Sequence, residues 1–239
     1  YTFAPRNKAR RAAQTALLRI ADALARMLAP ILVFTADEEI GLIGAKRLAK
    51  SRPLHSRFAI VGEPTSLQPM RAGKGYCLAE ITVKGQEAHS AYPAMGTSAV
   101  LGAARLITAI EGIARTLEAE QHSAFDPPFT TLNVGLIQGG TAKNVIAGEC
   151  RFTLEWRPIP GQDPERLLGL VSAAIDIQKR NNADFVCEVD ASRADQGFET
   201  APDAKLVTTL ERLTGNHSGT VAFGTEAAQM AALGAEAVV

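Results

Sequence analysis

The chain has 239 residues, 25 Lys+Arg against 25 Asp+Glu, no formal net charge and a hydrophobic fraction of 46%. Those figures suit a globular protein of one large or two small domains and argue against a general nucleic-acid binder. No apolar run approaches the ~18 residues of a membrane helix, and the three cysteines, Cys77, Cys150 and Cys187, form no CxxC pair, which reads as reduced thiols in a cytoplasmic protein.

Arg6, Lys8, Arg10 and Arg11 precede an Ala/Leu-rich stretch whose apolar positions Ala13, Leu17, Leu18, Ala21, Leu24, Ala25 and Leu28 share one helical face. A basic start of this kind can mimic an organelle transit peptide, but it reads as an ordinary amphipathic helix. Residues 31–35 then read as a buried strand, 42–49 as a helix and 58–62 as a second strand, an alternation that predicts a mostly parallel sheet flanked by helices. After Met70 the rhythm changes. Residues 76–84 alternate like a strand with one wet face, 97–117 carry helical spacing, 131–138 and 148–157 read as strands joined through Gly139-Gly140, 163–181 as a helix and 185–189 as a strand. This βαββαβ order suits a ferredoxin-like four-stranded sheet with two helices on one face. From Gly197 the α/β rhythm returns, with a helix at 205–213, an extended piece at 220–222, a helix at 225–233 and the beginning of a strand at 236–239. The fold class expected is therefore an α/β domain (1–71 and 196–239) interrupted by an inserted βαββαβ domain (72–195).

Candidate chemistry sits at strand ends. Glu38 and Glu39 directly follow the apolar run Ile31-Leu32-Val33-Phe34. Clustered acids there are tolerated best around a cation, and one carboxylate can bind a metal while its neighbour serves as a base. An acidic helix start is the plain alternative. Glu63, in Val61-Gly62-Glu63-Pro64-Thr65, stands at the end of another strand, the edge where open α/β sheets bind ligands. His89, in Glu87-Ala88-His89-Ser90-Ala91-Tyr92-Pro93, lies between a strand and a helix; taken alone such a histidine is more often structural. His55, His122 and His217 match no motif and read as surface or loop residues, while Phe152 and Trp156 read as sheet core.

Six segments taken together, TADEEIGLIGA at 35–45, VGEPTSLQPMRAGKG at 61–75, VKGQEAHSAYPAMGTS at 83–98, TLNVGLIQGGTAKNVIAG at 131–148, WRPIPG at 156–161 and FGTEA at 223–227, resemble the zinc-dependent aminoacylase, deacetylase and carboxypeptidase family. GEPTSLQP and FGTEA are most similar to its acetylornithine deacetylase branch. The resemblance implies a zinc-peptidase-like domain with the inserted unit acting as lid and homodimerisation domain, and hydrolysis of a small N-acyl amino acid. It implies two zinc ions per subunit, with cobalt or manganese as alternatives. By the same resemblance Glu38 is the general base, Glu39 and Glu63 are metal ligands, and His89 stabilises the oxyanion in the partner subunit's site. Asn144, Arg157, Gly224 and Thr225 are candidates for the substrate: a planar guanidinium suits a carboxylate, and backbone N–H groups before a helix suit an anion. A strand-end surface charge and a plain helix cap are the alternatives. Desuccinylation, and a non-catalytic dimerising relative that has lost its metal site, are the other functions the residues allow.

The chain also departs from that pattern. The family's His-x-Asp segment, bridging Asp and C-terminal His have no counterpart here; a simple register puts Arg6 opposite the bridging Asp. Ala237-Val238-Val239 reads as the inside of a buried strand whose backbone groups lack partners. Both features lead to the expectation of an incomplete or degenerate copy of a longer enzyme.

Overall fold

A computed structural model describes residues 31–51 and 56–239. The basic N-terminal helix, Arg6 and His55 lie outside the described residues. The elements are α1 (Ile43–Ser51), β1 (Phe58–Ile60), β2 (Met70–Gly73), β3 (Tyr76–Lys84), α2 (Ala99–Leu117), β4 (Thr131–Gly139), β5 (Glu149–Arg157), α3 (Arg166–Asn181), β6 (Val186–Asp195), β7 (Phe198–Glu199), α4 (Lys205–Thr214), β8 (Gly219–Val221), α5 (Ala227–Ala232) and β9 (Glu236–Val238). They fall into two compact units: Tyr1–Arg71 with Thr200–Ser218 and Gln229–Val239, and Ala72–Glu199 with Gly219–Ala228.

The second unit is built on an antiparallel four-stranded sheet in the order β4-β5-β3-β6, the ferredoxin-like arrangement expected from the βαββαβ order. Alternation decides which face is buried. Cys77, Ala79, Ile81 and Val83 of β3, with Cys150, Phe152, Leu154 and Trp156 of β5, join Ala103, Leu106 and Ile110 of α2 and Leu167, Val171 and Ile175 of α3 in one core. The intervening residues, Tyr76, Leu78 and Glu80 on β3 and Arg151, Thr153, Glu155 and Arg157 on β5, point to the other face. Trp156 is buried because its one polar atom is satisfied: Nε1 donates to Pro164 O at 2.9 Å. Ser98 caps α2, its side chain accepting from the Leu101 N–H. Of a small sheet, β7-β2-β8, only β8 was legible in the sequence, as the extended piece at 220–222; β2 and β7 are four and two residues long.

In the first unit β1 pairs with β9 in parallel, and Val238 packs with Leu206 and Val207 of α4. The expectation of unpaired backbone at the last residues is corrected. The Thr200 hydroxyl donates to Ala237 O (2.6 Å) and accepts from Ala237 N–H (3.1 Å), while Met70 and Val239 exchange two backbone bonds of 2.8 and 2.9 Å. The expected strand at 31–35 is a second correction. No described strand pairs with it, and Ile31, Leu32, Val33 and Phe34 are exposed, Phe34 to 81%. An apolar run becomes a strand only when neighbouring backbone takes up its N–H and C=O groups.

Candidate functional site

In the first unit, residues 38–41 form a turn in which Glu38 O accepts the N–H groups of Gly41 (3.2 Å) and Leu42 (3.0 Å). Gly41 and Leu42 take positive φ of 123° and 57°, a region that suits glycine. α1 starts only at Ile43 and carries no acid in its first turn, so the acids are not a simple helix start. In this turn Glu38 and Glu39 do not alternate sides as neighbours in a strand do. The two carboxylates still differ, since Glu38 is half-buried and Glu39 exposed. Glu63 is half-buried two residues past the point where Val61 N–H donates to Val238 O (2.9 Å) to extend the β1–β9 ladder.

Do these residues fit a two-metal centre? Among the described residues, no group of three or more His, Cys, Asp or Glu could hold a metal ion. The described donors alone therefore do not fit such a centre.

In the second unit the structure brings His89 and Asn144 together. Their segments are joined by bonds from Ser90 N–H to Asn144 O (2.9 Å) and from Ile146 N–H to Ala88 O (2.8 Å), with a bridge between His89 and Val145. Glycines allow the approach: a Cβ on Gly96 would stand 2.9 Å from Ala88 Cβ and from Gln86 O. His89 is exposed, and its Nδ1 accepts from the Ala91 N–H at 3.1 Å. That bond assigns the proton of the neutral ring to Nε2. Nε2 is thus an outward donor held in a defined direction.

Arg157 lies elsewhere in this unit. Its Nε donates to Glu155 Oε1 at 2.8 Å, and its guanidinium carbon stands 4.1 Å from the Tyr76 ring centroid. Gly224 belongs to the same cluster, since a Cβ placed on it would be 3.0 Å from Tyr76 Cβ. Thr225 is buried, and its hydroxyl accepts from the Ala227 N–H at 3.1 Å; this is the plain helix-cap role. His122 sits in a loop with Nε2 2.8 Å from Glu199 Oε2, and His217 is exposed.

Sequence reasoning missed two features here. Lys74 is buried, donating to Pro127 O (2.8 Å) and Phe129 O (2.6 Å), and burial lowers its pKa. Tyr76 stands between Arg157 and Arg193. Lys74 and Tyr76 lie in a segment with a motif, but their partners arrive from 50 to 120 positions away in the chain, which no local pattern reveals. The cysteines are free; Cys77 and Cys150 are buried, and burial pushes the Cys77 thiol up to about 12, so it is inert at neutral pH.

Residues 71–183 match the peptidase dimerisation domain of the M20 type. The chain is 53% identical over 213 residues to an acetylornithine deacetylase of Myxococcus xanthus, covering 88% of this chain and 56% of that protein. It is 37% identical over 200 residues to the acetylornithine deacetylase of Salmonella typhimurium, with 83% and 52% covered. Among solved structures, a tripeptidase from Staphylococcus aureus superposes with a TM-score of 0.67 at 24% identity, covering 85% of this chain and 53% of that one. An M20 family metallo-carboxypeptidase from Sulfolobus solfataricus does so at 0.61 and 16%, covering 84% and 60%. The fold is that of the M20 peptidases with their dimerisation domain. The chain is a relative of that family and is most like its acetylornithine deacetylases. It spans about half the length of the curated relatives it matches. No helix among the described residues is long and apolar enough to cross a membrane.

Proposed function

We propose that the protein is a metal-dependent amidohydrolase of the cytoplasm that removes the acetyl group from N-acetylornithine, a step of arginine biosynthesis. The observation that carries this reading is the 53% identity, over 88% of the chain, to an acetylornithine deacetylase. In this proposal Glu39 and Glu63 belong to the donor set of two zinc ions, and cobalt or manganese are the alternatives. Zinc supplies Lewis acidity when bound. Residues 1–71 and 196–239 form the catalytic α/β part and 72–195 the lid.

Amide hydrolysis requires a proton taken from the attacking water, a donor for the oxyanion and a proton for the departing amine. The Glu38 carboxylate takes the first proton and returns it to the amine nitrogen. The exposed Nε2–H of His89 donates to the oxyanion of a substrate bound by the partner subunit, a role worth about 10²–10³ in rate. Asn144, Arg157, Gly224 and Thr225 are assigned to the substrate, with the Arg157 fork on its carboxylate. A homodimer is supported by the edge strand β4, which among the described residues pairs only with β5 and exposes Leu136 (70%) and Ile137 (57%), and by Leu101 on α2, 60% exposed.

The test is acetate release from N-acetyl-L-ornithine, run beside succinate release from N-succinyl-diaminopimelate, with metal counted by elemental analysis. Glu38→Gln is expected to lose most turnover at unchanged metal content. Succinate release in place of acetate would reassign the substrate, and neither activity in metal-loaded protein would leave a non-catalytic relative.

A further inference from the structure

At one end of the four-stranded sheet, three side chains on its open face stand in a row across three strands. Tyr76 begins β3, with β5 on one side and β6 on the other. From β5, Arg157 places its guanidinium carbon 4.1 Å from the Tyr76 ring centroid; from β6, Arg193 places its own at 4.4 Å. The two cations therefore stand no further apart than those two distances combined. Gly75 allows the strand ends to converge: a Cβ there would meet Asp195 O at 2.2 Å and Pro158 Cγ at 2.7 Å, and Gly75 N–H donates to Pro158 O at 2.8 Å.

Each guanidinium spends only its Nε edge on a carboxylate, Arg157 on Glu155 and Arg193 on Asp195. The terminal nitrogens of both have no hydrogen-bond partner among the described residues. No described buried side-chain nitrogen or oxygen lacks a partner, so those unused N–H groups reach the surface. Stacking on an aromatic ring holds a guanidinium plane in place. The end of a guanidinium opposite Nε is the fork that grips a carboxylate bidentately.

We propose that Arg193 is a second carboxylate-binding residue beside Arg157, and that Tyr76 is the positioning residue that holds both. The ligand class is the carboxylate of an N-acyl amino acid, so the inference rests on the function proposed above and extends its substrate contacts to two residues with no assigned role. Two forks flanking one ring discriminate a carboxylate from an uncharged amide, because the amide removes the charge that both were placed to meet.

The test is calorimetric binding of N-acetyl-L-ornithine and N-acetyl-L-ornithinamide to the full protein. Wild type is expected to prefer the acid by about ten- to hundredfold, the range that hydrogen bonds to a charged group supply. Arg193→Gln should remove most of that preference and leave amide binding unchanged. Tyr76→Leu should erode the preference, and Tyr76→Phe, which keeps the ring, should restore it. Equal affinity for acid and amide in wild type, binding of neither, or an equal loss on both ligands in Arg193→Gln overturns the inference. Acetate release is decided separately: a protein that prefers the acid through Arg193 yet releases no acetate refutes the deacetylase reading and leaves this site standing.

Discussion

The strand β3 and the run Ile31–Phe34 are both apolar, and they end in opposite states. β3 is paired along its length with β5 on one side and β6 on the other, and its core-facing residues from Cys77 to Val83 are at most 1% exposed. Ile31–Phe34 is exposed throughout. β1 is intermediate, paired among the described residues with β9 alone, and Ile60 is 48% exposed. Burial thus follows the neighbouring elements that cover a segment, not its hydrophobicity: Val238 of β9 is fully buried against α4. A strand buries its apolar face only when others beside it extend the surface that packing elements cover.

The comparison can be broken most sharply in the core. Phe152→Ala should cost about 3–5 kcal/mol by chemical denaturation, because a ring 1% exposed leaves a cavity against α2 and α3. A cost under about 1 kcal/mol would mean that the β3–β5 face is not the packed one. Next comes Lys74→Met, expected to cost about 1–3 kcal/mol by leaving Pro127 O and Phe129 O without their donor. Leu136→Glu with Ile137→Lys should leave monomer stability within about 0.5 kcal/mol and, for the proposed homodimer, shift the sedimenting species from dimer to monomer. A dimer that survives would move the interface away from β4.

Smaller still is Glu120→Gln. Glu120 takes both terminal nitrogens of Arg166 at 2.5 Å, and that pairing holds its carboxyl below the usual range. A carboxyl whose pKa is lowered by folding stabilises at neutral pH, and that contribution is lost as pH falls through its lowered pKa. At this exposed position the difference between variant and wild type should be about 0.5 kcal/mol at pH 7 and should vanish as pH falls through the lowered pKa. The smallest effect is expected at Phe34→Ser, within about 0.5 kcal/mol in this chain. A large loss there would show that Ile31–Phe34 is buried in solution and would remove the contrast with β3.

The sequence by itself determined the longer elements and their order. The period-2 runs at 76–84 and 148–157 and the helical spacing at 97–117 are carried by local pattern, so α2, β3 and β5 lie within two residues of their expected bounds. The motif around His89 was equally legible, because it is contiguous. Only the tertiary structure decided which apolar runs became strands, since pairing depends on a neighbour supplied from elsewhere in the chain. The same reason hid Arg193. A charge near the end of β6 carries no local signature, and it acquires a role only when register sets it beside Tyr76, more than a hundred residues earlier in the chain. The Thr200 hydroxyl that pairs the backbone of Ala237 was hidden likewise, being an ordinary loop threonine until the fold brings β9 beside it.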